Sequence, residues 1–162
     1  MKPADLIELL REFYRDKAAL RHAHAAGAAH VADYDFNNTY QYIIAREDMH
    51  LRWVYDAIVE LGGTVDDAAP AARRVPGKGA AAQTAVLQED RDGAQAFVDR
   101  WRDRVAGISN ARQRILLQVI LGETLEQKRF FEQALAGRTD LLGRRADGAG
   151  TPGEVLPTRW VE

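Results

Sequence analysis

Apolar residues recur every three or four positions along four stretches of this chain, the period of a helix with one buried face. The first stripe reads Leu6, Leu10, Phe13 and Leu20, opened by Pro3 and Asp5. Proline fits a first helical turn, and an acid suits its positive end. The Ala-rich run that follows can stay helical beyond Gly27, so the stop falls between Gly27 and Asn37. The second stripe, over 39–61, is Tyr40, Ile43, Glu47, His50, Val54, Ile58 and Leu61, closed by Gly62-Gly63. The third, over 83–106, is Val86, Asp90, Ala94, Phe97, Trp101 and Val105, with Gly107 after it. Ser109-Asn110 offers a cap for a fourth helix running to Ala136, with Leu116, Val119, Glu123, Glu126, Phe130 and Ala134 on one face.

The connections are unequal. Those after the first and third helices are short, whereas 64–80 carries Pro70, Pro76, Gly77 and Gly79. One long crossover sets the second and third helices parallel. The expected architecture is therefore all-α, an antiparallel four-helix bundle with a long crossover between helices 2 and 3. It occupies residues 1–137. Residues 138–162, rich in Gly and Arg at first, are expected to form an extended C-terminal tail docked by Leu156 and Trp160.

Ionisable residues interrupt three of the stripes. Glu47 and His50 lie between Ile43 and Val54, Asp90 between Val86 and Ala94, and Glu123 with Glu126 between Val119 and Phe130. An unpaired buried carboxylate costs several kcal/mol. Several in one core need either divalent cations or buried Arg and Lys partners. Oxygen and imidazole donors suit iron, manganese or zinc. Glu47-Asp48-Met49-His50 places its two ligand types one turn apart on one face.

These residues resemble the ferritin-like superfamily, which includes bacterioferritins and rubrerythrins. There two helices each give Glu-x-x-His and the other two each give Glu. Glu47-Asp48-Met49-His50 matches the first motif, and Glu123-Thr124-Leu125-Glu126 stands in the place of the second, with Glu126 where the family has histidine. The resemblance spans about residues 5–136. It implies two divalent metal ions, Fe with Mn or Zn as alternatives, held by Glu47, His50, Asp90, Glu123 and Glu126. It also implies a di-iron carboxylate oxidoreductase of ferroxidase or peroxidase type, in iron handling or oxidative-stress defence. The first-helix acid is not evident. Asp90 precedes Glu123 by the same interval as Tyr14 precedes Glu47, with Glu8, Glu12 and Asp16 nearby. If the first helix continues past Gly27, His24 comes near the site instead.

Each feature has a plainer reading. Glu123 and Glu126 can be solvated charge beside Lys128 and Arg129, and Asp90 part of an acidic first turn with Glu89 and Asp92. His22, His24 and His30 then have ordinary surface or core roles. The alternative function is a metal-free ferritin-fold bundle acting as an oligomeric interaction module. Trp53, Tyr55 and Trp101 supply aromatic surface for a homo-oligomer, a dimer or larger, through the first two helices. Arg100, Arg102 and Arg104 alternate with Asp99 and Asp103 as a salt-bridged outer face.

Composition narrows the choices further. With no cysteine in 162 residues, disulfides, Cys-ligated zinc, iron–sulfur clusters and thiol catalysis are excluded. The balance of 22 basic and 24 acidic side chains gives no electrostatic case for nucleic acid. No apolar run reaches a membrane span, and Asp5, Glu8, Arg11 and Glu12 sit where an export signal would be apolar. A cytoplasmic location is the expectation.

Overall fold

A computed structural model describes residues 2–66, 73–75, 78–138 and 141–142. They form four α-helices and, among the described residues, no strand: α1 Pro3–Ala28, α2 Tyr34–Glu60, α3 Gly79–Ala106 and α4 Ala111–Leu135. None of these helices is long and apolar enough to cross a membrane. The proposed docking of the tail by Leu156 and Trp160 lies outside the described residues.

Local chemistry sets the ends. Pro3 opens α1, and the Lys2 backbone N–H donates to Asp5. The Asp33 carboxylate accepts from the Phe36 backbone N–H at 2.8 Å, so α2 starts several residues before the apolar stripe does. Asn110 caps α4 in the same way, accepting from the Gln113 N–H at 3.1 Å. Gly62, at φ 82°, supplies the left-handed turn after α2.

Helix α1 packs on α2 and α3, and α4 packs on α2 and α3, leaving α1–α4 and α2–α3 as diagonals. Side-chain contacts tie three of these neighbouring pairs at more than one level. Arg11 bonds Thr64 while Asn37 bonds the Ala28 carbonyl. Arg104 meets Glu12, and Gly27 abuts Val86. Arg112 meets Glu60, His50 meets Glu123, and Tyr40 stacks near Phe131.

The interior has two apolar clusters. One gathers around Phe13, Trp101, Ile58 and Ile120, the other around Tyr40, Phe36, Val86 and Phe131. Lys17 lies over the Phe97 ring of the first cluster, and His24 touches Phe131 of the second. The charged layer is thus sandwiched between them. Trp101 is wholly buried, its indole N–H donating to Asp16, so it contributes no aromatic surface for a partner.

Helix α4 is rotated from the face read in its sequence. Its buried residues are Gln113, Leu117, Ile120, Leu121, Thr124, Gln127 and Phe131. Val119 is 45 % exposed and Glu126 is exposed, whereas both were expected inside. Leucines, isoleucine, valine and phenylalanines occupy adjacent positions on α4, so two neighbouring stripes are about equally apolar. Thr124 and Gln127 lower the apparent hydrophobicity of the one that is buried.

Candidate functional site

Five ionisable or polar residues meet inside the bundle around Glu47: Lys17 and His24 from α1, Glu47 and His50 from α2, and Thr124 from α4. Lys17, His24, Glu47, His50 and Thr124 are all 0 % exposed. The Lys17 ammonium donates to Glu47 Oε1 at 2.8 Å and to Thr124 Oγ1 at 3.3 Å. The His24 Nδ1–H donates to the other carboxylate oxygen at 2.9 Å. Burial pushes the Glu47 carboxyl up, but His24 and Lys17 outweigh it and hold the group at about 2. Burial brings the Lys17 ammonium down from its usual value, against the pull of Glu47. Glu47 is therefore an anion with the Lys17 ammonium on one oxygen and the His24 N–H on the other.

The other acids have partners of their own. Glu123, partly buried, accepts from Arg46 Nη2 at 2.5 Å and Nε at 3.0 Å and from His50 Nε2 at 2.8 Å. Burial raises its carboxyl, yet Arg46 and His50 hold it below the ordinary range. Burial, with Lys17 nearby, lowers His50, so the ring is neutral with its proton on Nε2. Asp90 sits elsewhere on α3. It accepts a hydrogen bond from the Tyr40 hydroxyl, and Arg73 from the crossover donates to it at 2.7 Å. Burial raises Asp90 despite His24, Tyr40 and Arg73, and burial with the Asp90 charge raises the Tyr40 phenol. Arg73 also grips the Ala23 carbonyl at 2.6 Å and Glu89 at 3.0 Å, so one crossover side chain fastens α1 to α3.

Of the residues expected to hold metal, His50 and Glu123 are in direct contact, while Glu47 and Asp90 belong to separate ion-pair groups and Glu126 faces outward. Among the described residues no group of three or more His, Cys, Asp or Glu side chains is placed to hold a metal ion. The donor set does not fit a di-metal centre. Both Glu47 oxygens are engaged, and a fixed ammonium already stands where a cation would bind. The inward pair on α4, one turn apart, is Thr124 and Gln127, a weak ligand set for iron.

Lys17, Thr124 and Gln127 were missed in the sequence. His24 was noted as coming near the site if α1 continued past Gly27, and α1 does run to Ala28. Lys17 gave one signal: it lies one turn after Phe13 on the first stripe, between Leu10 and Leu20. Several polar atoms of this layer have no hydrogen-bond partner among the described residues, namely His24 Nε2, His50 Nδ1 and both amide atoms of Gln127.

A second polar cluster joins α1 and α3 nearer the surface. Glu12 accepts from Arg104 at 2.6 and 2.8 Å and from Arg100 at 2.8 Å. Hydrogen bonds from Arg104 and then Arg100 hold its carboxyl at about 2. Arg104 also lies 4.1 Å from the centre of the Trp101 ring.

No protein-family model matches this chain, and no curated protein or solved structure matches it at a significant level. What the molecule does must therefore be read from its own side chains.

Proposed function

We propose that this chain is a ferritin-like antiparallel bundle that keeps the architecture without the metal chemistry and serves as an oligomeric interaction protein. The observation that carries this reading is the buried Lys17–Glu47 contact of 2.8 Å. A metal centre of this type needs a first-helix carboxylate facing the Glu-x-x-His of the second helix. Here a lysine faces it, and the positive charge that a metal would supply is part of the polypeptide. The neighbour relations of the four helices and the long connection between α2 and α3 support the fold half of the proposal.

Physical chemistry favours the ion pair over a displaced lysine. Loading a metal at Glu47 would require breaking the 2.8 Å contact to Lys17 and leaving a side chain of 0 % exposure without that partner. The test is thermal melting with and without Fe(II) or Mn(II) under anaerobic conditions. Ligand binding to the folded state alone raises the melting temperature by linkage. The expected result is superimposable curves. A rise that Glu47→Gln abolishes would return the molecule to the metalloprotein class.

A further inference from the structure

The α2–α4 side of the bundle carries a groove with opposite charges at equal distances on either side of its centre. Two adjoining clefts of about 530 Å³ each run along it and share Trp53 and Val119. Exposed apolar side chains line this side: Val119 at 45 %, Ile115 at 57 %, Tyr42 and Met49. Ile115 and Val119 line one cleft and Tyr42 and Val119 the other, so they adjoin one another rather than standing singly.

The charges are placed about the shared centre. On α2, Arg46 and Glu60 stand seven residues before and after Trp53. On α4, Arg112 and Glu126 stand seven residues before and after Val119. Seven residues are about two turns, which returns to the same helix face roughly 10 Å away. Each helix therefore presents basic, apolar and acidic positions in sequence along one face. Each pattern is its own complement when reversed.

We propose that this face is a homodimer interface whose twofold axis lies in the interface plane and crosses α2 and α4 at the level of Trp53 and Val119. This deepens the reading of the chain as an interaction protein and rests on it, by naming a second copy of the same chain as the partner. In that arrangement α2 faces α2 of the second copy and α4 faces α4, each reversed. Arg46 meets Glu60 of the second copy, and Arg112 meets its Glu126. Ile115, Val119 and Trp53 form the apolar centre, with the charges at the rim, the usual anatomy of an interface. Inside one copy Arg112 already pairs with Glu60, and Arg46 with Glu123, so the dimer extends existing ion pairs rather than stranding charges. An isologous contact of this kind closes at two copies.

The experiment is sedimentation of the full chain at micromolar concentrations, wild type against variants. Wild type is expected to run as a dimer and Val119→Glu as a monomer. Arg112→Glu and Glu126→Arg, each placing like charges together twice per dimer, are expected to weaken association at least tenfold. The double variant R112E/E126R restores opposite charges and is expected to recover it. A monomeric wild type, a dimer that survives Val119→Glu, or a double variant weaker than both singles would each overturn the proposal. Circular dichroism of every variant confirms the helical fold. The metal-melting result is independent of this one, so either reading can fail alone.

Discussion

The Lys17 ammonium lies 2.8 Å from Glu47 Oε1 with both side chains wholly excluded from solvent. Neither charge is tolerable there alone, because removing one partner of a buried pair leaves an uncompensated ion costing about 3–5 kcal/mol. Lys17→Met is therefore expected to destabilise the fold by about that amount. Lys17→Met with Glu47→Gln removes both charges and keeps an acceptor for His24, and should regain most of the loss. Urea unfolding followed by tryptophan fluorescence measures all members of the cycle. A double variant no more stable than Lys17→Met would show that the pair is not coupled.

Stability should fall in acid with a defined sign. Glu47 and Glu12 both have folded values of about 2 against 4.5 for a free glutamate. Between those values the unfolded chain binds more protons, so their contribution is complete above pH 4.5 and is lost as the pH falls through 2. Glu12→Gln and Glu47→Gln should each flatten the dependence of melting temperature on pH below 4.5 while lowering the melting temperature at pH 7. Curves parallel to wild type would refute the assignment.

His50 acts in a higher window. Its ring is held neutral by burial, and the folded value lies below the usual 6.5. The unfolded chain again binds the extra proton, so stability declines as the pH drops below 6.5. Proton resonances of the His50 ring, followed through a titration, should show a midpoint below the usual 6.5. A midpoint at or above 6.5 would contradict this.

Much of the molecule is legible in the stripes. Leu6, Leu10 and Phe13 on α1, Tyr40 and Ile43 on α2, and Val86 and Trp101 on α3 are all buried as their spacing indicates. Asn110 caps α4, as its position before the fourth stripe suggested. The face of α4 was not legible, because Val119 and Ile120, or Phe130 and Phe131, are equally good candidates for burial without knowledge of the neighbouring helices. The site was half legible. Glu47 and His50 are inside, but what neutralises Glu47 comes from α1. No local pattern distinguishes a lysine turned inward from one that reaches solvent.

Glycines give a contrast that tests the packing. A Cβ at Gly27 would lie 2.7 Å from Arg73 Nη1 and 2.9 Å from Asp90 Oδ2. Gly27→Ala is expected to destabilise by about 1–3 kcal/mol, as overpacking does, by pushing Arg73 off Asp90. A Cβ at Gly122 meets nothing within 4 Å, and Gly122 lies within α4. Gly122→Ala should stabilise by up to about 1 kcal/mol through helix propensity. Equal effects in chemical denaturation would show that Arg73 does not hold α1 against α3 as described.

The claim that the bundle carries its own internal cation is tested most directly by elemental analysis. The full chain is produced with iron and manganese supplied, purified without chelator, and assayed for metal per polypeptide by mass spectrometry. With Lys17 seated on Glu47, the expected content is far below one metal ion per chain. About two iron or manganese ions per chain, lost in Glu47→Gln, would contradict the account.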